Sequence, residues 1–134
     1  MRRTYKFRLY PSKEQEKKMM IVLDRCRFVY NKMLEDLNKQ KKLNRNQLQN
    51  SIPRLKEKYP DLKEIYAKVL QYESYRLFSN LKSLSRLKKN KNKVGKLRFK
   101  GISWFKTFTY NQLGFKLLMN GKRFQKLLQF HQNA

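Results

Sequence analysis

The stretch TYKFRLYPSKEQEKKMMIVLDRCRFVY, residues 4–30, decides the expected fold. In YKFRLY, apolar and basic side chains alternate with the period of two that is typical of a strand with one buried face. Pro11 lacks the N–H that a strand ladder needs, and Ser12 followed by Gln15 predicts a capping box at the start of a helix. The stretch therefore predicts a short basic strand followed by a long amphipathic helix.

That helix is predicted from Lys13 to about Gln40. Its apolar residues form one broad stripe at helical spacing, namely Met19, Val22, Leu23, Cys26, Val29, Tyr30, Met33, Leu34 and Leu37. Cys26 lies mid-stripe and is interpreted as a small core residue. Phe28 lies on the far side, where it either packs against the N-terminal strand or a later sheet, or stacks on a base.

Two further helical regions are predicted in the middle of the chain. In the first, Leu48, Ile52, Leu55 and Tyr59 recur at helical spacing, and Pro53 either kinks the helix or lies in its first turn, with Ser51 as a cap. The second runs from about Leu62 to Leu87 with a break near Tyr66, and Asp61 with Glu64 predicts its capping arrangement. Its stripe is interpreted as core, and its members are Leu70, Leu77, Leu81 and Leu84 with Tyr72, Tyr75 and Phe78 beside them.

The last third of the chain begins with the basic stretch KKNKNKVGKLRFK, residues 88–100, which favours phosphate contact over a merely solvated linker. Beyond it, the period changes to two in FKTFTY, residues 105–110. FKLL (115–118) and FQKL (124–127) flank Asn120-Gly121, a favoured two-residue hairpin turn. Because a single strand needs partners, we expect the N-terminal strand to pair with these later strands.

Charge is the strongest compositional signal. The 134 residues contain 34 Lys and Arg against 9 Asp and Glu, a formal charge of +25 at pH 7. Such an excess destabilises a compact chain by self-repulsion unless a polyanion neutralises it. Nucleic acid is the first candidate partner and an anionic membrane surface the second, and basic residues interleaved with Tyr and Phe favour nucleic acid.

The residues that catalysis needs are scarce. The last acidic residue is Glu73, and the acidic residues before it are scattered among lysines. The only cysteine is Cys26 and the only histidine is His131, near the end of the chain, so an internal disulfide is excluded and a zinc site is not expected. We therefore expect no enzyme activity, no catalytic residue, no metal and no cofactor. Without an apolar signal region or a membrane-spanning run, the expected location is cytoplasmic.

Five motifs together resemble a known family. They are RTYKFRLYPSKEQE (Arg3–Glu16), CRFVYN (Cys26–Asn31), VLQ (Val69–Gln71), GKLRFK (Gly95–Lys100) and FTYNQLGFK (Phe108–Lys116). In this order they resemble the amino-terminal part of the TnpB/OrfB proteins encoded by insertion sequences, and the resemblance extends to about Leu127. Members of that family are RNA-guided DNA nucleases that have long been described as transposases.

The resemblance implies an α+β fold. Residues 1–11 and 94–128 would form a wedge-type β-barrel, complete or incomplete, in which the N-terminal strand pairs with the C-terminal strands. Residues 12–90 would be an inserted helical recognition lobe, and residues 1–46 correspond to a region of helix-turn-helix type. Residues 129–134 form a divergent tail, because LQFHQNA (128–134) no longer resembles the family.

The resemblance also implies partners, namely DNA and a guide-type RNA, with no membrane association and the oligomeric state left open. Gln71, Thr109 and Tyr110 match positions that the family places near DNA, and Arg45 and Gln49 align through less specific sequence. The full set of predicted nucleic-acid-binding residues is Lys6, Arg8, Lys18, Arg25, Arg45, Gln49, Gln71, Lys88, Lys89, Lys91, Lys93, Lys96, Arg98, Lys100, Lys106, Thr109 and Tyr110.

Three functional hypotheses remain open. The first is a nucleic-acid-binding, truncated part of a TnpB-like protein that lacks the RuvC-like nuclease domain and does not cleave DNA. The second is a general basic RNA- or DNA-associated structural protein, and the third is a non-functional transposon relic. In the first hypothesis, Tyr5, Phe7 and Leu9 dock the N-terminal strand onto the strands around Phe108 and Phe115, while Lys6 and Arg8 point outward.

Overall fold

The computed structural model describes residues 2–6, 8–40, 42, 44–110, 115–120 and 125–130, with side chains described up to residue 110. Four α-helices occupy most of it: α1 Lys13–Lys39, α2 Arg45–Asn50, α3 Ile52–Lys58 and α4 Ala67–Lys89. Short 3-10 helices cover Pro60–Glu64 and Ile102–Trp104. Two strands, β1 Phe115–Asn120 and β2 Gln125–Phe130, pair antiparallel.

Helix α1 begins where the sequence predicts. The Ser12 N–H donates to Gln15 Oε1 at 2.9 Å, and the Gln15 N–H donates to Ser12 Oγ at 3.3 Å, which completes the predicted capping box. Glu14 and Glu16 in the first turn complement the positive end of the helix dipole. The predicted extent to about Gln40 is confirmed, since the helix ends at Lys39.

The connection to α4 is only partly as predicted. Asn44 caps α2 through a reciprocal pair of hydrogen bonds with Gln47, which the sequence analysis missed. Pro53 does lie in the first turn of α3, but the Ser51 hydroxyl donates to the Leu48 carbonyl instead of capping the helix. The predicted break at Tyr66 is confirmed, because α4 begins immediately after it.

The predicted Asp61–Glu64 cap of the third helical region is wrong. Asp61 lies inside the 3-10 helix, and α4 begins without a side-chain cap at Tyr66. The Asp61 carboxylate instead accepts a hydrogen bond from Arg25 on α1 at 3.2 Å. Asp61 therefore forms an ion pair with Arg25 of α1 instead of the helix cap that the local sequence pattern predicted.

The hydrophobic core lies between α1 and α4, and α2, α3 and the 3-10 turn close it. Its buried residues are Cys26, Val29, Tyr30, Met33, Leu34, Leu48, Ile52, Leu62, Ile65, Val69, Leu70, Leu77 and Phe105. The predicted stripe of α1 and the role of Cys26 are thereby confirmed. Each fully buried aliphatic side chain contributes about 1.5–3 kcal/mol relative to an exposed one. This burial, more than intrinsic propensity, stabilises the helices.

Phe105 ties the chain beyond α4 to this core. It is buried beside Tyr30, with ring centroids 6.2 Å apart, although it belongs to an irregular segment. Phe28 is half-buried and meets the Tyr59 ring edge-to-face at 4.7 Å. Phe28 therefore packs against Tyr59 at the end of α3. The predicted partners of Phe28 were the N-terminal strand or a later sheet, and this ring contact is with neither of them.

The predicted α+β class with a β-barrel is wrong. The described residues 2–6 and 8–12 form neither helix nor strand, so the expected N-terminal strand is absent from them. Tyr5 is 69% exposed and Leu9 is 40% exposed, which contradicts burial of that alternating face. The packed part of the described chain is helical. The alternation predicts an extended chain, but not the distant ladder partner that a strand requires.

Strands β1 and β2 form a two-stranded sheet and pair only with each other among the described residues. Asn120 pairs with Gln125, so Asn120 belongs to a strand and the predicted two-residue turn at Asn120-Gly121 is wrong. Residues 121–124 lie outside the described residues, as do Phe7 and His131. The division into residues 1–11 with 94–128, 12–90 and 129–134 stays a prediction.

Candidate nucleic-acid interface

An open cleft of about 490 Å³ lies between α4 and the extended segment that follows Phe105. Positions three or four apart on α4 share one face of a helix, and alternate residues of an extended segment share one side. These two periodicities bring the lining side chains together. They are Tyr72, Tyr75, Arg76, Ser79, Asn80, Thr107 and Thr109. The cleft thus combines aromatic rings, one guanidinium and several neutral polar groups.

Arg76 connects the two walls of the cleft. Its guanidinium donates to the Thr107 carbonyl at 2.8 Å and lies 4.3 Å from the centroid of the Phe105 ring. A cation over an aromatic face is attracted by the ring quadrupole. Arg76 therefore holds the extended segment against α4, and the cleft depends on this side chain for its shape.

Arg45 of α2 does not line the cleft, but it contacts a side chain that does. Its guanidinium lies 3.9 Å from the centroid of the Tyr75 ring, and Tyr75 itself is 47% exposed. The same guanidinium donates to Gln49 Oε1 at 2.9 Å and to Asn46 Oδ1 at 3.0 Å. Because three contacts orient it, the Arg45 guanidinium is pre-organised beside the cleft, as is suitable for hydrogen bonding to phosphate or a base edge.

Of the residues that the resemblance places near DNA, the structure brings some to this cleft. Thr109 lines it, and Arg45, which donates a hydrogen bond to Gln49, contacts the lining residue Tyr75. Gln71 is half-buried on α4, one residue before Tyr72. Tyr110 stacks on Tyr66 with centroids 5.9 Å apart.

The environment of Tyr110 sets it apart from its neighbour Thr109. Burial, with smaller contributions from Cys26 and Tyr66, raises the pKa of Tyr110 to about 12. Its phenol therefore stays protonated at every physiological pH. Tyr110 packs against the helical core, whereas Thr109 faces the cleft.

The predicted basic residues from the end of α4 to Lys106 lie mainly on the surface. The exposed ones are Lys88, Lys89, Lys91, Lys93, Lys96, Arg98 and Lys106. Lys100 is half-buried because its backbone is held by Asn31 of α1: the Lys100 N–H donates to Asn31 Oδ1 at 2.8 Å, and Asn31 Nδ2 donates to the Lys100 carbonyl at 3.0 Å. The basic segment is therefore attached to α1 at its carboxyl end.

The remaining predicted residues lie on the N-terminal segment and α1. Lys6, Arg8 and Lys18 are exposed, and the Arg8 guanidinium lies 5.5 Å from the centroid of the Tyr10 ring. Arg25 differs from them, because it pairs with Asp24 and Asp61, each at 3.2 Å. With two carboxylates beside it, Arg25 is less available to phosphate than the exposed lysines.

Sequence reasoning missed six of the seven residues that line the cleft, namely Tyr72, Tyr75, Arg76, Ser79, Asn80 and Thr107. It also missed Asn31, which holds the Lys100 backbone. The two tyrosines were interpreted as core because they accompany a leucine stripe, yet both line the cleft. The available signal was their position on α4 near Gln71, which the resemblance had already placed near DNA: Tyr72 is the next residue, and Tyr75 lies one turn further on. Asn31 closes the quoted motif CRFVYN, and its partner Lys100 closes GKLRFK.

The described ranges also bear on two other kinds of site. No group of three or more His, Cys, Asp or Glu residues there could hold a metal ion. Nor does the described part of the chain contain a helix that is both long and apolar enough to cross a membrane.

Residues 1–46 match a helix-turn-helix domain. The matching family model is HTH_OrfB_IS605, and this match supports the resemblance of the amino-terminal part of the chain to the TnpB/OrfB family. The match indicates a DNA-binding, transposase-related function. Neither the curated proteins nor the solved structures yield a match to the chain.

The matched range covers α1 completely but only the first two residues of α2. Of the cleft and its border, it includes Arg45 and Asn46 alone. The cleft residues on α4 and on the segment 105–110 thus lie outside the matched range. The contact between Arg45 and Tyr75 connects them to it.

Proposed function

We propose that this chain binds duplex DNA at the cleft between α4 and residues 105–110, and RNA along the basic segment 88–100. The observation that carries the proposal is the Arg45 guanidinium stacked 3.9 Å over Tyr75 at the border of a cleft that Thr109 lines. Arg45 and Thr109 are far apart in sequence, and the resemblance associates both with DNA.

The composition of the cleft supports base reading over simple charge attraction. Arginine donates two parallel hydrogen bonds to guanine, and threonine contacts a base edge or the thymine methyl group. Lysine contacts to phosphate position a protein without reading sequence. The lysines of the basic segment lie on the surface around residues 88–96, whereas the cleft contains no lysine among its described lining residues. The two surfaces therefore suit different tasks.

Binding, and not cleavage, is the activity that we assign to these residues. The resemblance places the catalytic carboxylates of the family in a RuvC-like domain, beyond the part that this chain resembles. Incubation with guide RNA, matched DNA and magnesium is expected to leave the DNA uncut. Specific cutting would contradict the assignment.

The DNA part is tested by selecting tight-binding duplexes from a randomised pool and then measuring the affinities for the selected duplex and a scrambled one. Arg45→Ala and Thr109→Val are expected to weaken binding to the selected duplex by about 10-fold, with little change for the scrambled duplex, since a lost base contact costs about 1–3 kcal/mol. Lys93→Ala is the matched control: Lys93 lies on the basic segment that we assign to RNA, so the loss of its charge is expected to change binding to both duplexes equally and only slightly.

The RNA part is tested by the dependence of affinity on salt. A charge-only binder loses affinity steeply with salt and equally for a selected and a scrambled RNA. A specific RNA partner keeps its preference at high salt. Selection that enriches no DNA or RNA sequence, with equal salt dependence for all probes, would favour the general basic structural protein instead.

A further inference from the structure

The turn Gly101–Trp104, sequence GISW, lies outside both the family match and the quoted motifs, between GKLRFK and FTYNQLGFK. Its 3-10 helix closes with the Trp104 N–H donating to the Gly101 carbonyl at 3.2 Å. The turn holds the only tryptophan of the chain.

The turn is fixed to the helical core at both ends. On its amino side, Asn31 forms two hydrogen bonds with the Lys100 backbone. On its carboxyl side, Phe105 is buried, and the Arg76 guanidinium lies over its ring. With only four residues between these anchors, the turn has little freedom to fold its side chains back onto the core.

The side chains that the turn presents are large and apolar, but they face solvent. Trp104 is 81% exposed, Ile102 is 75% exposed, and Phe99, just before the amino-side anchor, is 57% exposed. A Cβ atom at Gly101 would lie 3.6 Å from Cδ1 of the Trp104 ring, so the indole lies close over the glycine. Exposed apolar groups gathered in one short segment mark an interaction site.

The charge around the turn identifies the kind of partner. Arg98 and Lys106 flank it on the chain and are exposed, and no acidic residue follows Glu73 in the sequence. Aromatic rings interleaved with uncompensated basic side chains are the arrangement by which proteins hold single-stranded nucleic acid: the bases stack on the rings, and the phosphates contact the cations.

We propose that the turn Gly101–Trp104 is a stacking site for unpaired bases of a single-stranded nucleic acid, with Trp104 as the main stacking residue and Phe99 as a second. This inference rests on the proposed function and adds a ligand class to it. A duplex keeps its bases stacked inside, so it offers this site only phosphates. The rigid anchors lower the conformational entropy lost when a base stacks.

The test uses the full chain and compares Trp104→Phe with Trp104→Leu. Both variants are apolar, but only phenylalanine keeps an aromatic face. The probes are oligouridylate and oligothymidylate of about 12 nucleotides, within the site sizes of about 4–16 known for such grooves, and a duplex. Binding is measured at elevated salt to reduce the charge contribution. Since Trp104 is the only tryptophan, fluorescence quenching of the unsubstituted chain reports directly on this site.

Trp104→Leu is expected to weaken single-strand binding by about 10-fold, because stacking is worth about 1–3 kcal/mol per base. Trp104→Phe is expected to stay near the unsubstituted chain, and both variants are expected to bind the duplex unchanged. A loss on both single strands identifies any single strand as the ligand, and a loss on oligouridylate alone identifies RNA. Either result supports the proposal.

Ile102→Ala is the control, since it removes an exposed apolar side chain from the same turn without removing a ring. Equal losses for Ile102→Ala and Trp104→Leu would overturn the proposal in favour of a general apolar docking surface, and so would unchanged binding by Trp104→Leu. Failure of the unsubstituted chain to bind any nucleic acid would refute the proposed function itself. Normal binding by Trp104→Leu would refute this inference alone.

Discussion

The Glu73 carboxylate lies 3.8 Å from the Arg76 guanidinium, and neither of its oxygens accepts a hydrogen bond within the described part of the chain. Glu73 is fully buried, so burial raises its pKa from 4.5 to about 8, while the Arg76 charge acts in the opposite direction. A separation of 3.8 Å is too long for a hydrogen bond, and the same Arg76 nitrogen donates to the Thr107 carbonyl at 2.8 Å. The core beneath the cleft therefore contains a carboxyl group that favours its neutral form.

This relationship predicts that stability falls as pH rises. The folded chain keeps a proton on Glu73 that the unfolded chain releases above about pH 4.5. The stability contribution is therefore complete below that pH and is lost as pH rises through about 8. Glu73→Gln cannot ionise, so denaturant unfolding at pH 8.5 is expected to show it more stable than the unsubstituted chain, by about 5 kcal/mol at most.

The control for that experiment is Glu64→Gln, since Glu64 is exposed at the end of the 3-10 helix. It is expected to follow the pH profile of the unsubstituted chain. If Glu73→Gln and the unsubstituted chain lose stability in parallel between pH 5 and 8, then Glu73 is not the buried group responsible.

Asn31→Ala is expected to loosen the attachment of the basic segment to α1, where the Arg27 guanidinium still donates to the Lys100 carbonyl at 3.5 Å. Two hydrogen bonds to the Lys100 backbone are lost, each worth about 0.5–1.5 kcal/mol net. Amide hydrogen exchange at Lys100 is expected to become faster, and the global stability is expected to fall by about 1–3 kcal/mol.

Asn50→Ala on α2 is the matched control, because Asn50 is exposed. It should leave exchange at Lys100 unchanged. Undiminished protection of the Lys100 amide in Asn31→Ala would show that other contacts hold the segment.

Lys91→Gly is expected to stabilise the chain. Lys91 has φ 62°, and the Asn92 N–H donates to the Leu87 carbonyl at 3.1 Å, which closes α4 with a left-handed turn. A side chain in this region costs about 1–2 kcal/mol, whereas glycine adopts it freely. The midpoint of denaturant unfolding should therefore rise by an amount that corresponds to roughly 1 kcal/mol.

Lys93→Gly provides the comparison, since it removes the same charge two residues later in an irregular segment. Glycine there adds only freedom to the unfolded chain, so this variant is expected to be neutral or slightly destabilised. An equal gain for both variants would attribute the effect to charge removal and not to backbone strain.

Ser12→Ala is expected to destabilise the chain by about 1 kcal/mol, because it removes the acceptor of the Gln15 N–H at the start of α1. Thermal unfolding followed by circular dichroism measures the change. Ser85→Ala, at an exposed position within α4, is the control. It is expected to increase the stability slightly, since alanine has a higher helix propensity than serine. Loss of stability in both variants would argue against a specific capping effect.

Much of the helical structure was predictable because it depends on neighbours in sequence. The capping box at Ser12, the start and end of α1 and the break before α4 all follow from interactions within about four residues. The capping box of Asn44 and Gln47 follows the same local rule, but it lies in a polar stretch that was interpreted as a connector, so it was not predicted. Of the candidate site, sequence pointed to Thr109 and Arg45, but not to Tyr75, which joins Arg45 to the cleft.

The sequence by itself determined the long amphipathic helix, the large positive charge and the resemblance of the amino-terminal part to the TnpB/OrfB family, which the match over residues 1–46 supports. Only the tertiary structure decided that the alternating N-terminal segment forms no strand, that Glu73 is buried, and that Lys100 is held by Asn31. Local patterns specify which conformations are favourable. Which distant partners meet depends on chain closure and on the competition for one core, and these are not encoded in any short stretch.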